Sequence, residues 1–120
     1  MTGAEVTNIV ERELRAITQP ELLALVHQLL VSPKLEQRVW DYGAENQRFP
    51  CWLVLEHRPS NTGIAYCAHG FGPSDPWGLL FLSGENMSMG MDSGWFASLE
   101  DALRNCVAWN GQNPPRYEIQ

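Results

Sequence analysis

The chain has 120 residues, of which 44% are apolar and only 18% charged, the profile of one globular domain with its own core rather than a disordered chain. Eight Lys and Arg against fourteen Asp and Glu leave a net charge of −6, and Lys34 is the single lysine. That balance offers no cationic surface to neutralise a phosphate backbone, so nucleic acid is not expected as a partner.

Between Glu5 and Glu13 four charged side chains interrupt the N-terminal segment, which therefore lacks the apolar stretch of a secretory signal. Val6, Ile9, Val10, Leu14 and Ile17 recur at three- and four-residue steps and predict an amphipathic helix over residues 4–16. Thr18-Gln19-Pro20-Glu21 has capping-box spacing with proline in the first turn, so a second helix is expected there. Its stripe of Leu22, Leu23, Val26, Leu29 and Leu30 should stop at Ser32-Pro33, because the residue before proline is pushed out of the helical region. The apolar stretch from Leu22 to Val31 contains His27 and Gln28 and is far shorter than the ~20 residues of a membrane span. His27 itself reads as a boundary residue of the packed face.

Residues 1–33 thus read as a helical hairpin, and residues 35–97 as a sheet. Arg38–Tyr42, Cys51–Arg58, Ile64–Phe71 and Trp77–Ser83 are predicted strands, with a turn at Ser60-Asn61-Thr62-Gly63. A fifth strand over 88–96 is weakened by Gly90 and Gly94. The connections are too short for parallel crossovers, so the strands should be antiparallel neighbours. Ser98, with Asp101 three residues on, caps a third helix that should run over 98–110 to Asn110-Gly111. Residues 111–120, with Pro114-Pro115, read as an extended tail. The expected architecture is a single α+β domain: an antiparallel sheet of four or five strands, with two N-terminal helices and one C-terminal helix packed on one face.

Cys51, His57, Cys67 and His69 are the residue types of a metal site or a thiol nucleophile. A hairpin centred on Asn61 puts all four on one face but places Cys67 opposite Leu55 and His69 opposite Leu53, so they do not converge. Cys67-Ala68-His69 is a lone C-x-H rather than a close ligand pair, and neither a metal nor a cofactor is expected. Three cysteines cannot all pair with one another, and an odd count in a cysteine-poor chain fits reduced structural thiols in the cytoplasm. With no cation near them in sequence they should not have depressed pKa values. Gly70-Phe71-Gly72-Pro73-Ser74-Asp75-Pro76-Trp77 has the glycines of a phosphate loop, but no helix follows it and two prolines remove donors, so it reads as a strand-to-strand loop.

Five tryptophans, Trp40, Trp52, Trp77, Trp95 and Trp109, are many for this length, and most should lie in the core. Outside the helices, however, an aromatic adjoins an acid three times: Trp77 by Asp75, Trp95 near Asp92, and Trp40 with Tyr42 around Asp41. Aromatic anchors with acidic neighbours suit a surface that docks a basic protein. Asp75, Trp77, Glu85, Asp92 and Trp95 are accordingly the candidate partner-binding residues.

Gly94-Trp95-Phe96-Ala97-Ser98-Leu99-Glu100-Asp101-Ala102-Leu103, an aromatic strand end followed by a capped acidic helix, resembles a segment of small immunity proteins from bacterial polymorphic-toxin and contact-dependent inhibition systems. The resemblance implies a cytoplasmic binder that covers the active or substrate-binding surface of a cognate toxin, many such toxins being basic nucleases. The alternatives are a small ligand- or peptide-binding module using the concave face of the sheet, and an enzyme using Cys67, His69 or a carboxylate.

Overall fold

Thr2 opens the first element by accepting the Glu5 N–H on its hydroxyl, 3.2 Å away, and helix α1 runs from Gly3 to Ala16. The computed structural model describes residues 1–43, 47–71, 73–85 and 87–112. Helix α2 spans Pro20–Leu29 with Gln19 rather than Thr18 at its N-cap, and no side chain caps it. Proline in the first turn leaves one donor fewer to satisfy.

The polypeptide passes directly into β1, Leu30–Val39, so residues 30–33, expected to end the helix, begin the sheet instead. Leu29, Leu30 and Val31 suit either period. Pro33 is tolerated because β1 is an edge strand, and the ladder shifts register between Leu30 and Lys34. Strands β2 (Arg48–His57), β3 (Thr62–Tyr66), β4 (Trp77–Phe81) and β5 (Trp95–Phe96) follow in a five-stranded antiparallel meander. The first three start or stop earlier than expected, and the expected 88–96 strand contracts to two residues. Helix α3, Leu99–Asn105, starts at Ser98, whose hydroxyl accepts the Asp101 N–H at 3.1 Å. It ends at Asn105 rather than 110 and a short 3-10 segment, Val107–Gln112, continues the chain. The expected tail lies outside the described residues beyond 112.

All three helices lie on one face, as the α+β expectation requires. Val6 and Val10 of α1, Leu22 and Val26 of α2, and Leu99, Ala102 and Leu103 of α3 pack with Val54, Leu55, Ile64 and Trp77. Glu13 ties α1 to α3 by accepting the Leu99 N–H at 2.8 Å, a carboxylate on the positive end of a helix.

A bulge between Leu53 and Leu55 decides which side chains reach the opposite face. Before it, Phe49, Cys51 and Leu53 alternate away from the helices; after it, Leu55 and His57 turn toward them. That opposite face is covered by the chain between β4 and β5, which crosses it as a strap. Met89 donates its N–H to Val39 O at 2.9 Å on the far edge, and its carbonyl accepts Trp95 Nε1–H at 2.7 Å. Beneath the strap Cys51, Ala65, Cys67, Leu80, Met89 and Trp95 form a second core. Glycine is required at position 78, where a Cβ would overlap the Trp95 indole.

Candidate functional site

The strap-covered face ends in an aromatic cluster. Trp40 follows β1, Phe49 lies in β2, and His69 and Phe71 belong to the β3–β4 connection. Phe71 stands perpendicular to Trp40 at 6.0 Å and nearly so to Tyr42 at 5.6 Å, and lies 5.8 Å from Trp95. Phe49 packs 5.5 Å from Trp40, and the His69 ring stacks on it at 5.6 Å. These are the separations at which aromatic pairs attract. The innermost ring is Trp95, and the outermost is Tyr42, 56% exposed.

Two exposed carboxylates accompany this end. Asp41 precedes Tyr42, and Asp75 donates its backbone N–H to Phe71 O at 3.3 Å. Trp40 Nε1 is buried with no hydrogen-bond partner among the described residues.

Below the rings sits a buried cation. Arg38 is 2% exposed, and its Nε and Nη2 both donate to Glu36 Oε1, at 3.0 and 2.5 Å, while Nη1 lies 3.8 Å from Met87 Sδ on the strap. A guanidinium so covered needs its carboxylate, because an unpaired buried charge is strongly destabilising.

The sequence candidates fare unequally. Trp77 and Trp95 are 2% and 4% exposed, so the structure corrects their assignment as docking anchors and puts both in the core. Trp77 faces the helices and Trp95 the strap. Asp75, Glu85 and Asp92 are exposed but do not form one patch. Asp75 precedes β4, Glu85 follows it at the opposite end, and Asp92 lies in the turn before β5 at the sheet edge. Of the three only Asp75 joins the aromatic end. Sequence reasoning noted Asp41 between Trp40 and Tyr42 but did not find Phe49, His69 or Phe71 beside them. The alternation of β2, counted from Arg48, carries that signal for Phe49.

The thiols and histidines also rearrange. One step beyond the Trp52–Tyr66 pair, Cys67 faces Cys51, not Leu55 as the turn-centred register implied. Cys51 Sγ donates to Phe49 O at 3.7 Å; the interaction between the two thiols holds Cys67 below its usual pKa against the opposing effect of burial, while the same interaction and burial push Cys51 up. The expectation of no depressed thiol is thus corrected for Cys67. Burial pushes Cys106 up. The Cys67 sulfur lies 3.6 Å from the carbonyl of His69, whose imidazole is on Phe49 instead. His57 is turned to the helix side, where Nδ1 lies 2.6 Å from Ser60 Oγ. Among the described residues no group of three or more His, Cys, Asp and Glu could hold a metal ion.

His57 and Thr62 border an apolar cleft lined by Leu55, Ile64, Leu79, Cys106 and Val107, of about 60 Å³. Ordinary small-molecule sites occupy roughly 300–1,000 Å³. No helix among the described residues is long and apolar enough to cross a membrane.

No protein-family model matches the chain, and searches of curated proteins and of solved structures return no match.

Proposed function

We propose that this chain is a protein-binding domain that docks a basic partner surface through its aromatic end, in the manner of an immunity protein neutralising a cognate toxin in the cytoplasm. The supporting observation is Tyr42, a large ring braced by Phe71 and open to solvent, with Asp41 beside it in sequence and Asp75 on the Phe71 loop. A preformed aromatic loses little conformational freedom on binding and supplies apolar area, while flanking acids select a cationic partner.

The rest of the charge distribution favours the same reading. Among the described residues Lys34, Arg38, Arg58 and Arg104 are ion-paired to Glu36, Glu56 and Glu100. Asp41, Asp75, Glu85, Asp92 and Asp101 are exposed outside these pairs, as are Arg12, Arg15 and Arg48, the last next to Phe49; the net charge of −6 still gives a negative field that accelerates encounter with a basic protein.

Capture from the native host with the immobilised chain, with Tyr42→Ala and Asp75→Lys chains in parallel, tests the proposal. A basic protein retained by the wild type and lost from both variants supports it. An acidic partner, or equal retention by all three chains, overturns it.

A further inference from the structure

Cys51 and Cys67 are both 0% exposed and face one another across β2 and β3. The backbone fixes the geometry of this pair. Cys67 donates its N–H to Pro76 O at 2.8 Å, on the β4 side, so neither its N–H nor its C=O points toward β2. In an antiparallel ladder that makes Cys51–Cys67 a non-hydrogen-bonded pair, the closer kind, with Cα atoms about 4.5 Å apart. A disulfide spans Cα separations of roughly 4.4–6.8 Å, so the bond requires no movement of the strands. Both thiols lie in the same strap-covered core, and their interaction holds Cys67 below its usual pKa while it and burial push Cys51 up, which makes Cys67 the attacking sulfur. Cys106 lies in the other core, against the helices.

We propose that Cys51 and Cys67 are a redox-active dithiol, closed to an intrachain disulfide by a small peroxide. The Cys67 sulfur attacks one oxygen of the peroxide; the O–O bond breaks, the other oxygen leaves as water with the thiol proton, and Cys67 becomes a sulfenic acid. The Cys51 sulfur then attacks that sulfur, the S–S bond forms, the S–O bond breaks, and hydroxide departs with the Cys51 proton as a second water. Two thiols and one hydrogen peroxide give one disulfide and two waters. Complete burial restricts the first step to an oxidant of about water size. Closure would pin the base of the loop that carries His69, Phe71 and Asp75, but the chemistry does not depend on what that surface binds.

The test exposes the reduced full-length chain to hydrogen peroxide, removes the oxidant, then unfolds the protein in excess N-ethylmaleimide and measures its mass and labelled peptides. Three labels on the three cysteines should fall to one, on Cys106, with the loss of two hydrogens and recovery of all three labels after reduction. In Cys51→Ser the same treatment should leave one or more added oxygens on Cys67 and no internal link. Retention of three labels under conditions that oxidise free glutathione, a link to Cys106, or oxygen adducts in place of a link in the wild-type chain would overturn the proposal. The wild-type arm decides this even where the serine variant folds poorly.

Discussion

Tyr42 meets Phe71 edge-on with 5.6 Å between ring centroids, yet 56% of Tyr42 remains open to solvent. The ring is therefore held without being consumed by the core. Replacing it by alanine should cost folding about 1 kcal/mol or less, close to the value of one aromatic pair, while weakening partner binding by about 2 kcal/mol or more if it is an anchor. Urea denaturation and a binding titration on the same variant separate the two effects; loss of stability in step with binding would make Tyr42 a core residue.

Trp77→Ala and Trp95→Ala should behave in the opposite way. Each empties a buried site, at a cost of about 3–5 kcal/mol, and denaturation midpoints should fall steeply for both. A change below about 1 kcal/mol would contradict their place in the two cores.

Among the described residues, Glu36 is the only carboxylate paired with buried Arg38. Glu36→Gln keeps the shape and an acceptor but removes the countercharge, and the loss expected is about 1.5–3 kcal/mol, the range for hydrogen bonds to charged groups. Equal stability of the variant at neutral pH, by denaturant titration, would show that the guanidinium is solvated.

How much of this was legible in the sequence depends on where one residue's period is decided by its neighbours. Helix α1 and the Ser98 cap of α3 were, because a 3.6 spacing and a hydroxyl three residues before its backbone donor are local signals. The start of β1 was not, since Leu29 to Val31 fit a helix stripe and a strand equally well, and an edge position makes Pro33 acceptable. Nor was the bulge at Val54. That extra residue moves His57 to the helix face, and together with a turn that pairs His57 with Thr62, and so is not centred on Asn61, it brings Cys67 opposite Cys51. Asp75 could be placed in a loop from its prolines, but alternation alone does not say that Trp77 and Trp95 face inward, since both faces of this sheet are covered.

The acid limb of stability should carry the signature of Glu56, whose carboxyl is held below its ordinary value by the hydrogen bond from Lys34, with Arg58 adding. In the unfolded chain that carboxyl titrates near 4.5, and in the folded chain lower. The pair's stabilisation is therefore complete above about 4.5 and lost as the pH falls through the folded value. Lys34→Met removes the main cause, so denaturation midpoints measured below pH 4.5 should fall less steeply with acid than in the wild type. Parallel acid limbs would assign the stability to other carboxylates.

The central claim is that acids beside Tyr42 steer a basic protein onto the aromatic end, and the association rate against ionic strength tests it most directly. With the captured partner, the wild-type rate should fall as salt is raised. The Asp41→Lys, Asp75→Lys double variant should associate at least tenfold more slowly at low salt, the lower end of electrostatic steering, with a flatter salt dependence and an unchanged unfolding midpoint. Association at the wild-type rate and with the wild-type salt dependence would contradict the account.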